Sequence, residues 1–198
     1  MITFESIVQL DKDITLWINN LSATWNDAFW WALSDIGFWI PMYIAIAAFA
    51  LWKLGWKKGL AVILSAVLTL ILIDQGSNLV KSSVARLRPC YDTWMVNNGL
   101  RLPYGILSSG KFGFFSAHAG NTFGFAIVSY LGLKWNKPQS RFWPYGVFIF
   151  LWAVFVSFSR LMMGAHFLGD ILVGSVVGLA VGWFCAFLAR KIVVKAKL

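Results

Sequence analysis

Apolar positions in this chain fall in long blocks separated by short polar breaks, without the two-residue alternation of half-buried strands. Five runs carry no charge or a single acid: Ile36 to Trp52, Gly59 to Val80, Ala119 to Leu133, Phe142 to Ser159 and Ile171 to Ala189. A helix crosses a bilayer with roughly 17–25 such residues. The third run is short, but His118 and Lys134 supply its polar ends. Gly55, Pro89, the Gly110-to-Gly113 stretch and Lys137-Pro138 mark the breaks. Upstream, Ile7, Leu10, Ile14, Trp17, Ile18 and Leu21 recur at three- and four-residue steps around Asp11, Lys12 and Asp13. Trp25, Phe29, Trp30 and Leu33 continue the pattern after an Asn19-Asn20 break. This periodicity predicts one or two amphipathic helices at the membrane surface, with a poorly apolar sixth span as the alternative.

The expected fold is therefore all-α: an integral membrane bundle of about five to six transmembrane helices. It forms a single domain over residues 1–198, with interfacial helices over 1–35, the bundle over 36–190 and a cytoplasmic tail over 191–198. Composition agrees, since 59% of residues are hydrophobic and only 13% charged, far from a soluble norm. The formal charge of +9 does not imply nucleic acid, because the cations cluster at the ends of apolar runs, as loop anchors do. Met1-Ile2-Thr3-Phe4-Glu5 has no basic start and no small-residue cleavage site, so no removable signal peptide is expected. Cys90 and Cys185 lie in different settings and imply neither a disulfide nor a metal framework.

With five spans, alternate loops collect Lys53, Lys57, Lys58, Lys134, Lys137, Arg141, Arg190, Lys191, Lys195 and Lys197 on one face, without an acid. That face is expected to be cytoplasmic. Trp52, Trp56, Trp135 and Trp143 would anchor it, and Trp25, Trp30, Trp31, Trp39 and Trp94 the other. The opposite face receives three polar segments together. Lys81 and Arg88 follow the second run, Ser116 and His118 precede the third, Arg160 closes the fourth, and His166 and Asp170 open the fifth.

These residue types suit a phosphate monoester. Lys81, Arg88 and Arg160 supply cations, and Ser116 a hydroxyl. The amides near Ala117 and His118 begin a helix and favour an anion. His166 and Asp170 are four residues apart, which places them on one face of a helix's first turn. Asp170 can hold one ring nitrogen and leave the other as a nucleophile. His118 can protonate the leaving oxygen. The scheme gives a phosphohistidine on His166, then attack by water, and calls for no metal or cofactor.

The three segments resemble the three-part signature of the type 2 phosphatidic acid phosphatase superfamily. Lys81 to Pro89 is similar to its first motif: lysine, six residues, arginine, proline. Ser116 and His118 match the second, with Phe115 where proline is common and Ala117 where glycine is common. Ser159, Arg160, His166 and Asp170 match the third. The resemblance implies His166 as nucleophile, His118 as general acid, and Lys81, Arg88, Ser116 and Arg160 as phosphate ligands. It implies a lipid phosphatase of the cytoplasmic (inner) membrane, with its site on the periplasmic or extracellular side. Undecaprenyl diphosphate or phosphatidylglycerol phosphate is the first expectation for substrate, beside phosphatidic acid and lipid A phosphate. The expected partners are the lipid phosphate and membrane lipids. A phosphotransferase using the same site, a non-enzymatic lipid-binding protein, and a peroxidase similar to the soluble vanadate-dependent haloperoxidases are the alternatives.

Other positions read more plainly. Arg86 is expected to be a surface or headgroup contact and Ser159 a packing residue. Asp74 is expected to join a hydrogen-bond network between helices. Gly174, Gly178 and Gly182 predict close helix packing within the bundle. Arg101, Lys111, Tyr91, Trp94 and Tyr104, in the long segment from Cys90 to Phe115, are expected to shape a headgroup entrance.

Overall fold

The computed structural model describes residues 3–105, 110–135 and 142–196. The predicted break at Lys137-Pro138 and the cations Lys137, Arg141 and Lys197 lie outside the described residues. Among those described there are eight α-helices and no sheet. They are α1 (Phe4–Asn19), α2 (Asp27–Ser34), α3 (Ile36–Leu54), α4 (Trp56–Val84), α5 (Thr93–Asn97), α6 (Ala117–Leu133), α7 (Trp143–Met162) and α8 (Leu168–Lys195).

Helices α3, α4, α7 and α8 are each long and apolar enough to cross a membrane. The third predicted run, α6, has 17 residues and packs against α8, α4 and α7. Outward-facing Ile44, Leu64, Ile71, Phe148, Val176 and Phe184 are exposed, as a lipid-facing surface requires. The chain is a membrane protein. Its main core joins Ala50, Val62, Phe125, Ile149, Trp152 and Val156.

The helices outrun the apolar blocks. α4 continues through Lys81 to Val84, and α8 runs to Lys195, through most of the stretch expected as a tail. Propagation adds one backbone bond per residue, so a helix need not stop where its apolar stretch does. The glycine series sits within the bundle. A Cβ on Gly174, Gly178 or Gly182 would come within 2.4, 2.2 or 2.6 Å of the carbonyl oxygens of Ser116, Gly120 and Gly124. Helices α6 and α8 therefore meet backbone to backbone.

The N-terminal region is tied to one end of this bundle. Thr15 Oγ1 accepts from the Leu168 N–H at 3.0 Å. The Asn19 carboxamide donates to the carbonyls of Leu161 and Met162 at 3.0 and 3.1 Å. The last carbonyls of a helix lack intrahelical donors, and Asn19 supplies one to the end of α7. What reads in the sequence as a chain break is a buried clamp, and α1 lies across the ends of α7 and α8. Trp30 and Trp39, expected as interface anchors, are half-buried. They pack against Phe158 and Trp152, with ring centroids 5.7 Å apart in each pair, because the turn between α2 and α3 folds both toward α7. Cys90 and Cys185 are free and buried.

Candidate active site

The helix order carries the three polar segments to one end of the bundle. Lys81 lies near the end of α4, Ser116 caps the start of α6, Arg160 lies near the end of α7, and Asp170 lies in the first turn of α8. The first and second segments are joined by an antiparallel bridge between Leu87 and Phe112. The Arg88 N–H donates to the Lys111 carbonyl and the Gly113 N–H to the Arg86 carbonyl, both at 2.9 Å. The second and third segments are joined by the Ser116 N–H, which donates to the Asp170 carbonyl at 3.0 Å.

Histidine 166 is not in the first turn of a helix, as its spacing from Asp170 suggests. It sits in the turn ahead of α8, which begins at Leu168. Gly164 has φ +63°, a left-handed conformation that suits glycine, and it reverses the chain after α7. The Arg160 carbonyl then accepts from Ala165 and His166 N–H groups at 2.9 and 3.3 Å. Asp170 faces back because its Oδ2 accepts from the Phe167 N–H at 3.1 Å, a cap on the new helix. This brings Asp170 Oδ2 to 3.4 Å from His166 Nδ1.

The other ring nitrogen is decided by its partner. Arg88 Nη1 lies 3.0 Å from His166 Nε2. A guanidinium has only donors, so Nε2 is the acceptor and the ring proton is on Nδ1, toward Asp170. Burial, reinforced by Arg88, Arg160 and Lys81, holds the His166 imidazole well below the usual histidine range. The ring is therefore neutral near pH 7, with its lone pair facing the cations.

Those cations are partly unmet. Arg88 Nη1 also donates to the Ala165 carbonyl at 3.2 Å, and Arg160 Nη1 donates to Ser34 Oγ. The Nε of each arginine is buried without a hydrogen-bond partner among the described residues, a costly arrangement unless an anion completes it. Lys81 Nζ donates to Ser77 Oγ at 3.0 Å. The Ser116 hydroxyl oxygen accepts from the Ala119 N–H, which leaves the first amides of α6, on Ala117 and His118, without intrahelical acceptors. His118 stands within electrostatic range of Arg160, His166, Arg88 and Lys81. The structure brings together every predicted site residue.

Two participants were missed. Arg86 is no mere surface contact: its Nη1 donates to Asp170 Oδ1 at 2.8 Å and its Nη2 to Asp11 Oδ2 at 2.7 Å. Asp11 Oδ1 also accepts from the Gly169 N–H at 2.9 Å. The sequence signal was Arg86's place inside the first motif, but nothing pointed to Asp11 on α1. Arg101, expected at a headgroup entrance, is paired with Asp27, which takes its two guanidinium nitrogens at 2.9 Å each. Ser159 is a packing residue as expected, fully buried with its hydroxyl donating to the Val156 carbonyl. Asp74 joins α4 to α6, its Oδ1 accepting from Asn121 Nδ2 at 2.9 Å.

A cavity of about 610 Å³ opens from this cluster into the bundle. Lys81, Arg88, Ala117 and His118 line its polar mouth, and Trp39, Tyr43, Ala47, Val62, Ala66 and Phe125 line its depth. From Lys81 to Val62 along α4 is roughly 28 Å at 1.5 Å per residue, close to the thickness of a hydrocarbon core.

Known proteins resemble this chain in sequence and fold. The PAP2 superfamily matches residues 54–193. The lipid A 4'-phosphatase of Bacteroides thetaiotaomicron is 32% identical over 197 residues, covering 95% of this chain and 80% of that protein. That of Porphyromonas gingivalis is 28% identical over 183 residues, covering 91% and 73%. The fold is shared with a transmembrane PAP2 type phosphatidylglycerolphosphate phosphatase from Bacillus subtilis, with a TM-score of 0.73, 19% identity, and coverage of 94% and 88%. It is shared too with Aquifex aeolicus LpxE, with a TM-score of 0.60, 18% identity, and coverage of 90% and 93%. With its three motifs gathered at one end of the bundle and the family match spanning most of its length, this chain belongs to the PAP2 superfamily.

Proposed function

We propose that this protein is a lipid phosphatase that works through a phosphohistidine, and that its substrate is a phosphate monoester of the lipid A type. One observation carries the chemistry: a buried imidazole sets its Nε2 3.0 Å from Nη1 of Arg88, and Arg88 lines the polar mouth of an apolar cavity. The phosphoryl oxygens would take the donors of Arg88, Arg160 and Lys81, the Ser116 hydroxyl and the amides of Ala117 and His118. Arg88 then turns from Nε2 to the phosphate, which frees the nucleophile. Nε2 attacks phosphorus as the ester P–O bond breaks, and His118, which gains its second ring proton once the phosphate anion offsets the nearby Arg160, Arg88 and Lys81, gives that proton to the departing oxygen. The Nδ1–H, directed at Asp170, supports the charge that develops on the ring. Water, deprotonated by His118, then cleaves the P–N bond and releases phosphate. The cations stabilise the charge on the equatorial oxygens throughout.

The cavity supports a lipid, since its apolar depth matches an acyl chain lying within the bundle. The relatives support the lipid A class over undecaprenyl diphosphate and phosphatidylglycerol phosphate, the first expectations from the sequence. The two sequence relatives are lipid A 4'-phosphatases, while the phosphatidylglycerolphosphate phosphatase shares the fold at 19% identity. The site faces outward from the cytoplasmic membrane in this reading, because Lys57, Lys58, Lys134, Arg190 and Lys191 occupy the other end of the helices. A panel of lipid phosphates assayed for released phosphate, with His166→Ala as the blank, tests the whole. Release from a lipid A-type 4'-phosphate that vanishes in the blank supports the proposal. A binding protein would release none, and a phosphotransferase would lose phosphate to a lipid acceptor instead of water.

A further inference from the structure

The cavity holds a second polar tier below the phosphate ligands. Asp74, Asn78 and Asn121 line it together with Lys81 and His118. Along α4, Asn78 lies about 4.5 Å and Asp74 about 10 Å below Lys81, at 1.5 Å per residue. Asn121 lies one turn beyond His118 on α6 and donates through Nδ2 to Asp74 Oδ1 at 2.9 Å. Among the described residues Asp74 makes no other hydrogen bond or ion pair, and the Asn121 carboxamide oxygen is buried without a partner. The tier thus presents acceptors, chiefly the exposed Asp74 carboxylate, to a cavity whose deeper walls are hydrocarbon. A carboxylate at that depth is costly unless donors meet it.

Resting on the lipid-phosphatase reading, we infer that Asp74 and Asn121, with Asn78, form an acceptor subsite. It takes hydroxyl and amide N–H donors that the substrate carries next to its phosphate. A phosphorylated amino sugar with hydroxyacyl amides places such donors within several ångströms of phosphorus, level with this tier. A polyprenyl phosphate places only hydrocarbon there and leaves the carboxylate unmet. Sites built to bond a substrate donor discriminate strongly against analogues that lack it. The tier therefore selects donor-bearing lipid phosphates and disfavours plain isoprenoid ones.

The test compares two substrates in purified enzyme: a lipid A-type 4'-phosphate bearing hydroxyacyl amides, and undecaprenyl phosphate, which lacks such donors. The readout is the ratio of their kcat/KM values. Asp74→Leu is expected to lower that ratio at least tenfold, and Asp74→Asn, which keeps an acceptor oxygen, by less than threefold. A ratio within twofold of wild type in Asp74→Leu overturns the inference, even with the lipid-phosphatase reading intact. If Asp74→Leu shows no cooperative thermal transition, Asn78→Leu carries the test. A fall of about fivefold supports the subsite, and an unchanged ratio overturns it. Wild-type enzyme that releases phosphate from neither lipid removes the parent reading, and the subsite with it.

Discussion

Replacing Arg86 by glutamine isolates the contact that holds the Asp170 carboxylate. Asp170 is fully buried, and its Oδ1 takes Arg86 Nη1 at 2.8 Å. Breaking one side of a buried ion pair costs about 3–5 kcal/mol. Two features reduce that here: the Arg86 side chain is 22% exposed, and Asp170 keeps the Phe167 N–H on its other oxygen. About 2–3 kcal/mol remains. Expressed wholly in the chemical barrier, at 1.36 kcal/mol per tenfold, this lowers kcat about 30- to 150-fold. KM should stay within about threefold, because Arg86 bonds Asp170 and Asp11 rather than lining the cavity. Phosphate release from a micellar lipid phosphate measures both constants, and a thermal melt of the same sample reports folding. Asp11→Asn is the companion, since it can keep the Gly169 contact while losing the charge opposite Arg86. It should lower kcat several-fold at an unchanged melting midpoint. An Arg86→Gln enzyme within threefold of wild-type kcat refutes the assignment, as does a loss confined to KM.

The remaining predictions concern the nucleophile, the anion site and the helix contact. In His118→Asn protein, one imidazole is left, and its ¹⁵N resonances should titrate below the ordinary histidine value of about 6.5; titration at or above it contradicts the buried neutral ring. Because the unfolded chain gains that proton first, His166 should make the protein less stable as pH falls below about 6.5, which melts across pH 5–7 of wild type and His166→Phe would reveal. Vanadate should inhibit competitively, as a mimic of five-coordinate phosphorus, and a chelator should leave turnover unchanged; strong loss in chelator alone would oppose the scheme. Gly178→Ala places a Cβ 2.2 Å from the Gly120 carbonyl oxygen, and should destabilise the fold by about 1–3 kcal/mol as overpacking does, visible as a lower melting midpoint.

Much of this architecture was legible in the sequence because the bilayer is a severe solvent. Uncharged runs long enough to cross it had to be helices, and alternation then forced Lys81, His118, Arg160 and His166 to one end. Ser116 as the cap of α6 was legible from the same break. The N-terminal clamp was not. Periodicity shows that α1 has a polar side, but a polar side facing water and one facing the ends of α7 and α8 read alike. Asp11, Thr15 and Asn19 are therefore ordinary in sequence and buried or bonded in the fold. The same blindness hid Arg86, whose partners come from residues 75 and 84 positions away. His166 was placed near Asp170 by spacing alone, whereas the pairing comes from a turn and a cap rather than from helical register.

The contact of α6 with α8 has a consequence for the enzyme in living membranes. His118 rides on α6 and Asp170 on α8, while the backbones of those two helices touch at successive glycines. At each crossing a backbone carbonyl oxygen of α6 lies against a glycine of α8, leaving no room there for a side chain on that glycine. A bilayer that thins, thickens or stiffens with temperature or diet can tilt the outer helices. The gap between His118 and Asp170, and with it that between the proposed proton donor and the proposed nucleophile His166, is set instead by peptide groups in contact, a gauge that lipid fluctuations have little means to adjust.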